Sequence, residues 1–240
     1  MRLLDKPASR ALPPVTLLRQ FDTCRLIPSR FADAEDSVLA PLAGGDDGVL
    51  RDLFDLDNAT NDRLRGEAGQ LAGIGMDELV FGVPNFRIIN AAYTYARPEG
   101  SRFNDGQRGA WYCAFDAETA LAEIAFHKAV EYQEIGRLGG DFSDSVNYQC
   151  LLADFSAGFH DLRGLDAFNN CLDSRSYLAS QQLAAGLLEM GSMGVIYPSV
   201  RAPGGTNLAC FRPALVGNVR KGQAYRLTWA GSPVPGIEPI

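Results

Sequence analysis

The order in which strand-like and helix-like segments follow one another is the feature of this sequence that most constrains its fold. Beyond residue 80 two helices are predicted, one that Asp116 caps and that runs to about Tyr132, and one over Ser174–Met190. Because strands and helices do not alternate as regular βαβ units, the sequence predicts an α+β fold with a mixed, partly antiparallel sheet and flanking helices. The predicted strands are Phe86–Tyr95, Ala110–Phe115, Val146–Phe155, Gly194–Val200, Asn207–Arg212 and Ala224–Trp229.

The sequence predicts three parts of the chain: residues 1–80, 81–220 and 221–240. Residues 1–80 are predicted to form a mostly helical N-terminal extension, because leucines recur at three- and four-residue steps among charges in Gly48–Gly73. Pro84 marks the boundary to a core over residues 81–220. Residues 221–240 are predicted to form a C-terminal strand and a proline-rich surface tail.

The charge balance excludes several classes of partner. The 240 residues carry 22 Lys and Arg against 29 Asp and Glu, a net charge of −7, which argues against direct nucleic-acid binding. An anionic small molecule can bind only where a few arginines gather against this overall field. No apolar run approaches the length of a membrane span and no signal peptide is evident, so we expect a soluble, cytoplasmic protein without a membrane partner.

Cysteine and histidine are too scarce and too scattered for a metal site. The five cysteines form no CxxC pair and the only histidines are His127 and His160, so no metal is predicted. We expect reduced cysteines, as is usual in the cytoplasm, and a core large enough to fold without a disulfide.

Several common catalytic motifs are absent. The chain has no GxxxxGK[ST] phosphate-binding loop, and Gly73-Ile74-Gly75 lacks the third glycine of a dinucleotide fingerprint. The segment Met190-Gly191-Ser192-Met193-Gly194 lacks the first glycine of the GxSxG nucleophile motif. Cofactor-dependent redox chemistry has no signature in this sequence.

One face of the helix after Asp116 concentrates polar residues. Thr119, Glu123 and His127 are four residues apart and therefore share that face. The residues between them are mainly apolar, so the Glu123 carboxylate loses hydration unless it has a partner or a function. A carboxylate in this position suits the stabilisation of positive charge at an anomeric carbon.

Two loops and one strand supply further polar groups. Arg102, in the loop Gly100-Ser101-Arg102-Phe103-Asn104, can offer its guanidinium group to a phosphate. Tyr112 and Ser199 have hydroxyl groups that can orient a ribose or an amide, and the turn Gly204-Gly205-Thr206-Asn207 follows Ser199. Together these groups suit the binding of a nucleotide diphosphate.

Each of these residues also has an ordinary structural explanation. Arg102 would then be a solvated loop arginine, and Glu123 a helix carboxylate paired with a residue such as Lys128. Tyr112 would be a packing residue between strands, and Ser199 a turn hydroxyl. Spacing alone does not decide between the two explanations.

The loop, the strand and the helix resemble the pattern of the RES-domain family, the toxins of bacterial Xre–RES toxin–antitoxin pairs. The GGRWN stretch of that family is similar to Gly100–Asn104, its tyrosine ten residues on corresponds to Tyr112, and its glutamate in an ALAE helix corresponds to Glu123. The resemblance covers roughly residues 81–220.

Two further motifs extend the resemblance. The proline–serine pair of the family, followed by a glycine-rich turn and an asparagine, is similar to Pro198-Ser199 and Gly204–Asn207, with Ser180 as the alternative position of the serine. The arginine that begins the family's core in a Y-R-I context is similar to Arg87.

The resemblance implies a fold like that of ADP-ribosyltransferase toxins, with NAD as a substrate rather than a recycled cofactor. It implies cleavage of the nicotinamide–ribose bond and transfer of ADP-ribose to phosphate, water or a protein target. In that reaction Glu123 would stabilise an oxocarbenium-like ribose. The implied NAD contacts are Arg87 and Arg102 on the pyrophosphate, Tyr112 on the nicotinamide side, and Thr119, His127, Ser199 and Asn207 on ribose or amide groups.

The resemblance also implies an Xre-type antitoxin as a protein partner. The N-terminal extension is a candidate for antitoxin docking or for assembly into a homo-oligomer. The competing hypothesis is a non-enzymatic module, in which the Gly100–Asn104 loop captures a nucleotide or another anionic partner without cleaving it.

Overall fold

The structure, a computed structural model, describes residues 12–32 and 73–240 of the chain. Three α-helices lie in these ranges: α1 (Phe86–Thr94), α2 (Ala117–Glu134) and α3 (Leu178–Glu189). The strands are β1 (Val15–Pro28), β2 (Trp111–Ala114), β3 (Ser143–Asp161), β4 (Gly194–Pro198), β5 (Thr206–Cys210), β6 (Gly217–Ala230) and β7 (Gly236–Pro239). Short 3-10 turns cover Ser29–Phe31, Met76–Glu78, Asp166–Leu172 and Pro213–Leu215.

The sheet closes on itself through β1. Its strand order is β1-β2-β5-β4-β3-β6-β7, and β1 also pairs along most of its length with β3. Strands β1, β2, β5, β4 and β3 therefore form a ring. On the edge of β3 opposite β1, β6 pairs with the first part of the strand and β4 with its last residues, and β7 pairs with β6. The β3–β4 pairing is parallel and the other pairings are antiparallel, so the predicted α+β fold with a mixed sheet is confirmed.

The two faces of β2, β5 and β4 bury different groups of side chains, because successive residues of a strand point to opposite faces. One face contributes Trp111, Leu208 and Ile196 to the main core, to which α1 adds Ile89 and Tyr93. The opposite face is covered by α3 and by the 3-10 turn before it, and its buried residues include Tyr197, Ala209, Ala184 and Leu187. This second face carries the candidate functional site.

Residues Phe86–Thr94 form helix α1, so the predicted strand over Phe86–Tyr95 is wrong. The segment is rich in β-branched and aromatic residues, but its buried side chains, Ile89, Asn90 and Tyr93, recur at helical spacing. The Asn90 side chain donates to the carbonyl of Val80 and accepts from its amide, which stabilises the helix position. Tertiary burial outweighs the intrinsic strand preference here.

The predicted N-terminal extension contributes a strand to the sheet. Val15–Pro28 forms β1 through a hydrogen-bond ladder with β3; no helix was predicted over these residues, since the helical pattern of the extension lies in Gly48–Gly73. The helix predicted over Gly48–Gly73 lies almost entirely outside the described residues. Glu78, at the end of the predicted extension, pairs with Arg108 at 2.7 Å and with Arg212 at 2.6 Å, and these arginines hold its pKa below its usual range.

The other predicted elements are confirmed. The helix that begins after Asp116 is α2, and the helix predicted over Ser174–Met190 is α3. Five of the six predicted strands correspond to β2, β3, β4, β5 and β6. The C-terminal tail also forms the short exposed strand β7 on the edge of the sheet. None of the described helices is long and apolar enough to cross a membrane.

Cys24 of β1 and Cys150 of β3 are joined by a disulfide, which differs from the reduced state expected from the sequence. The pair is 126 residues apart in the chain, and the β1–β3 register brings the two residues together. Cys113, Cys171 and Cys210 are buried and lie outside this disulfide.

Gly109 is required by the close approach of its backbone to α1. Its amide donates to the Tyr93 carbonyl at 2.8 Å, and a Cβ at this position would collide with the carbonyl of Ala92. We predict that Gly109→Ala lowers the free energy of unfolding by about 1–3 kcal/mol, because rigid backbone must move. The matched control is Gly186→Ala in α3, where a Cβ meets open space, and it should raise stability by about 0.5–1 kcal/mol.

Urea unfolding of both variants measures these changes. Equal effects of the two substitutions would contradict the assigned packing of Gly109 on α1.

Candidate functional site

Three polar side chains lie side by side on the second face of the sheet. Asn207 of β5 pairs with Tyr197 of β4 and with Ala114 of β2, and Tyr112 lies two residues before Ala114 on the same side of its strand. Paired residues of antiparallel strands project from the same face, so Tyr112, Asn207 and Tyr197 form one polar row.

Helix α2 places Glu123 over this row. The helix begins after Asp116, whose carboxylate accepts from the Thr119 amide at 2.7 Å, a normal N-cap. One turn later Glu123 Oε1 accepts two hydrogen bonds, from Ser199 Oγ at 2.7 Å and from Asn207 Nδ2 at 2.8 Å. Oε2 accepts none from the residues that the structure describes. The carboxylate is therefore fixed through one oxygen while the other remains available.

The turn after β4 positions Ser199. The Ser199 hydroxyl accepts from the amides of Arg201 and Ala202, at 3.1 and 2.9 Å, and its proton goes to Glu123. The Ser199 amide donates to the Gly205 carbonyl at 2.8 Å, which closes the turn. Gly205 lies directly against Thr119, whose side chain would collide with a Cβ there.

The loop Gly100–Asn104 is a tight turn on the other side of the row. Gly100 has a φ of +74°, and Ser101 and Asn104 form an isolated bridge. Phe103 is buried against Tyr197, with ring centroids 4.7 Å apart. The Tyr112 hydroxyl donates to Asn104 Oδ1 and accepts from the Phe103 amide, both at 2.8 Å, so it connects the loop to the sheet.

The loop is also held by α3 and by the segment that leads into it. Gln181 Nε2 in α3 lies within 3.2 Å of three loop carbonyls, those of Glu99, Ser101 and Asn104. The buried Arg102 donates from Nη1 to the carbonyls of Cys171 and Asp173, at 3.0 and 2.8 Å.

The Arg102 guanidinium group also lies 4.7 Å from the Tyr177 ring. Because both of its hydrogen bonds to the described residues leave Nη1, the Nε and Nη2 groups keep donors for a ligand.

Positive charge gathers around His127, one turn beyond Glu123. Burial lowers the pKa of His127, the nearby Arg97, Arg201 and Arg102 lower it further, and the Glu123 carboxylate acts in the opposite direction. Arg201 lies over the Phe126 ring at 3.4 Å and donates to the Ser174 carbonyl at 2.7 Å. His127 is therefore uncharged near neutral pH.

The structure brings together most of the residues predicted for the site. Glu123, Ser199 and Asn207 are in direct contact, and Tyr112 and Arg102 belong to the adjoining loop and strand. Lys128 pairs with Glu131 rather than with Glu123.

Three other predicted residues have contacts of a different kind. The Thr119 hydroxyl donates to Asp116 within the N-cap of α2. Ser180, the alternative to Ser199, donates to the Tyr177 carbonyl inside α3. Arg87 lies in the first turn of α1, and its guanidinium group is 5.7 Å from the Phe86 ring. The two hydrogen bonds that Glu123 accepts come from Ser199 and Asn207, not from Arg87.

Three residues around the site, Tyr197, Arg97 and Arg201, were not predicted from the sequence. Tyr197 was recognisable as the tyrosine of the Tyr197-Pro198-Ser199 stretch at the end of a predicted strand. Arg25 of β1 lies on the opposite face, in the main core, where its guanidinium group is 4.9 Å from the Trp111 ring; its Nη1 donates to the Tyr112 carbonyl at 3.1 Å, and burial lowers its pKa. Arg97 and Arg201 lie in loops, where spacing carries no signal.

We predict that His127 makes the protein less stable as the pH falls. The pKa of His127 is lower in the folded protein than in the unfolded chain. At a pH between these two pKa values the unfolded chain therefore binds more protons than the folded protein. The free energy of unfolding decreases as the pH falls below about 6.5, the ordinary pKa of histidine. Urea unfolding at pH 7.5 and 5.5 should show a smaller loss for His127→Gln than for the unsubstituted protein. His160 is present in both proteins, so its contribution to the loss of stability is the same in each and does not affect the comparison. Equal losses would contradict the prediction.

Comparison with known proteins agrees with the motifs of this site. A family model described as "RES domain" matches residues 79–230. "Uncharacterized protein y4oC" of Sinorhizobium fredii (strain NBRC 101917 / NGR234) is 30% identical over 213 residues, 87% of this chain and 83% of that protein. A solved chain of the M. tuberculosis MbcT–MbcA toxin–antitoxin complex is loosely similar, at 17% identity and a TM-score of 0.42, over 56% of this chain and 75% of the other. The match to the family model and the identity to y4oC place this chain in the RES-domain family.

Proposed function

We propose that this protein is a toxin that cleaves the nicotinamide–ribose bond of NAD and transfers ADP-ribose to phosphate, water or a protein. Membership of the RES-domain family supports this class of reaction. The observation that carries the proposal is Glu123, a carboxylate fixed through Oε1 by Ser199 and Asn207, with Oε2 left without a partner among the described residues.

Glu123 acts through its charge. As the bond from the ribose C1′ to the nicotinamide nitrogen breaks, its electron pair leaves with the nitrogen and positive charge develops on the ribose. A carboxylate that is already oriented stabilises this charge without reorganisation. Nicotinamide leaves as a neutral molecule, so its departure needs neither a general acid nor a metal ion. A lone pair of the acceptor oxygen or side chain then forms the new bond to C1′, and the proton of a water or side-chain acceptor passes to solvent.

Arginines supply the positive charge that a pyrophosphate requires. Arg102 keeps free donors on Nε and Nη2, and Arg97 and Arg201 lie close enough to act on His127. A local group of cations attracts an anionic substrate although the chain as a whole is acidic. Arg87, which the resemblance also implies, remains a proposed contact to the pyrophosphate.

The remaining residues of the family pattern orient the substrate in this proposal. The Tyr112 ring borders the nicotinamide side, since its hydroxyl is already bonded to Asn104 and Phe103. Asn207, Ser199, His127 and Thr119 border the ribose. An antitoxin, of the Xre type that the resemblance implies, is the proposed protein partner, because unchecked NAD cleavage would harm the host cell.

We predict that Glu123→Gln reduces nicotinamide release from NAD by about 100-fold or more. The amide oxygen of glutamine can accept the same hydrogen bonds from Ser199 and Asn207, so the site keeps its geometry and loses only the charge. The matched control is Glu134→Gln, an exposed carboxylate at the end of the same helix, which should retain full activity.

The assay measures nicotinamide release by purified protein with and without phosphate, and again with cell extract. A requirement for phosphate identifies a phosphorylase, and release without phosphate identifies a hydrolase or a transferase. A folded Glu123→Gln variant with full activity would contradict the assigned role. No release by the unsubstituted protein under any condition would favour the non-enzymatic binding module.

A further inference from the structure

Tyr197 is a buried tyrosine whose hydroxyl has no protein partner. Its side chain is 5% exposed, and its ring packs against Phe103. Among residues 12–32 and 73–240, no group forms a hydrogen bond with the Tyr197 hydroxyl. By contrast, the hydroxyls of Tyr112 and Tyr132 are bonded, the latter to Asp144 at 2.6 Å.

Tyr197 lies inside the hydrogen-bonded group that holds Glu123. It pairs directly with Asn207 across β4 and β5, and Ser199 follows two residues later in the turn after β4. Asn207 and Ser199 both donate to Glu123 Oε1. Neither Asn207 nor Ser199 bonds to the Tyr197 hydroxyl, and no other described residue does.

The Tyr197 hydroxyl is not one of the fully buried polar atoms without a partner, which among the described residues are Arg25 Nε, the Tyr93 hydroxyl, Trp111 Nε1 and Trp229 Nε1, so it reaches solvent although its ring is buried. It lies near Glu123, Tyr112 and Arg102, on the side of the site. A hydroxyl that has no protein partner and is open beside Glu123 is available to a ligand, and phenylalanine at this position would pack on Phe103 without offering that group. Burial also raises the pKa of Tyr197 well above its usual range, so the hydroxyl keeps its proton and can donate.

We infer that the Tyr197 hydroxyl donates a hydrogen bond to a ribose oxygen of the nucleotide substrate, next to the bond that Glu123 acts on. This inference rests on the proposed function. Ribose is the matching group because the Glu123 carboxylate faces the sugar in that reaction and Tyr197 borders the two residues that fix Glu123. Tyr197 is thus a substrate-contacting residue in addition to those that the family pattern supplied.

The test is Tyr197→Phe, which removes the hydroxyl and keeps the ring. ADP-ribose is the probe, with its dissociation constant measured by calorimetry, and nicotinamide release gives kcat and KM. We expect ADP-ribose to bind about 3- to 10-fold more weakly, as for the loss of one hydrogen bond. The thermal midpoint should stay equal, since the hydroxyl makes no hydrogen bond to the described residues, whereas a structural role would lower it.

The matched control is Tyr93→Phe. Tyr93 is fully buried in the main core, beside the Cys210 thiol, and this substitution should leave the affinity for ADP-ribose unchanged. Unchanged affinity of Tyr197→Phe, or no ADP-ribose binding by the unsubstituted protein, would overturn the inference. Absence of nicotinamide release would refute the proposed cleavage, and the comparison of ADP-ribose affinities would still decide the role of Tyr197.

Discussion

The contact of Glu123 with Ser199 and Asn207 is the interaction on which the site depends. It joins the middle of α2 to two neighbouring strands, so it fixes the helix relative to the sheet as well as the carboxylate. A half-buried charge next to apolar residues requires such donors. The same donors would be costly to bury without an acceptor, so the helix and the polar row of the sheet stabilise each other.

Charges of opposite sign lie near each other in this site without neutralising each other. Arg102 donates to main-chain carbonyls and Arg201 to the Ser174 carbonyl, and no ion pair of Glu123 occurs among the described residues. A direct pair would cancel much of the field at the place where substrate charge develops. Because the arginines bond to neutral carbonyls, their positive charge and the negative charge of Glu123 can both act on a substrate.

Local patterns predicted the helix of the site, and long-range register was needed for the rest. The cap at Asp116 and the four-residue spacing to Glu123 are local features, and α2 follows them. The meeting of Ser199 and Asn207 depends on the β4–β5 register, which no local pattern encodes. Helix α1 was mispredicted because strand propensity is a weak prior wherever buried residues recur at helical spacing.

The position of β1 has a consequence for how the chain acquires its structure. Thr23 and Ala153 are hydrogen-bonded although 130 residues separate them, so β1 must wait during synthesis until β3 has been made before their ladder can form. Long loops of this kind slow folding. The match to the RES domain begins at residue 79, after β1. A fragment cut at that residue would leave β2 and β3 with open edges, which favour aggregation.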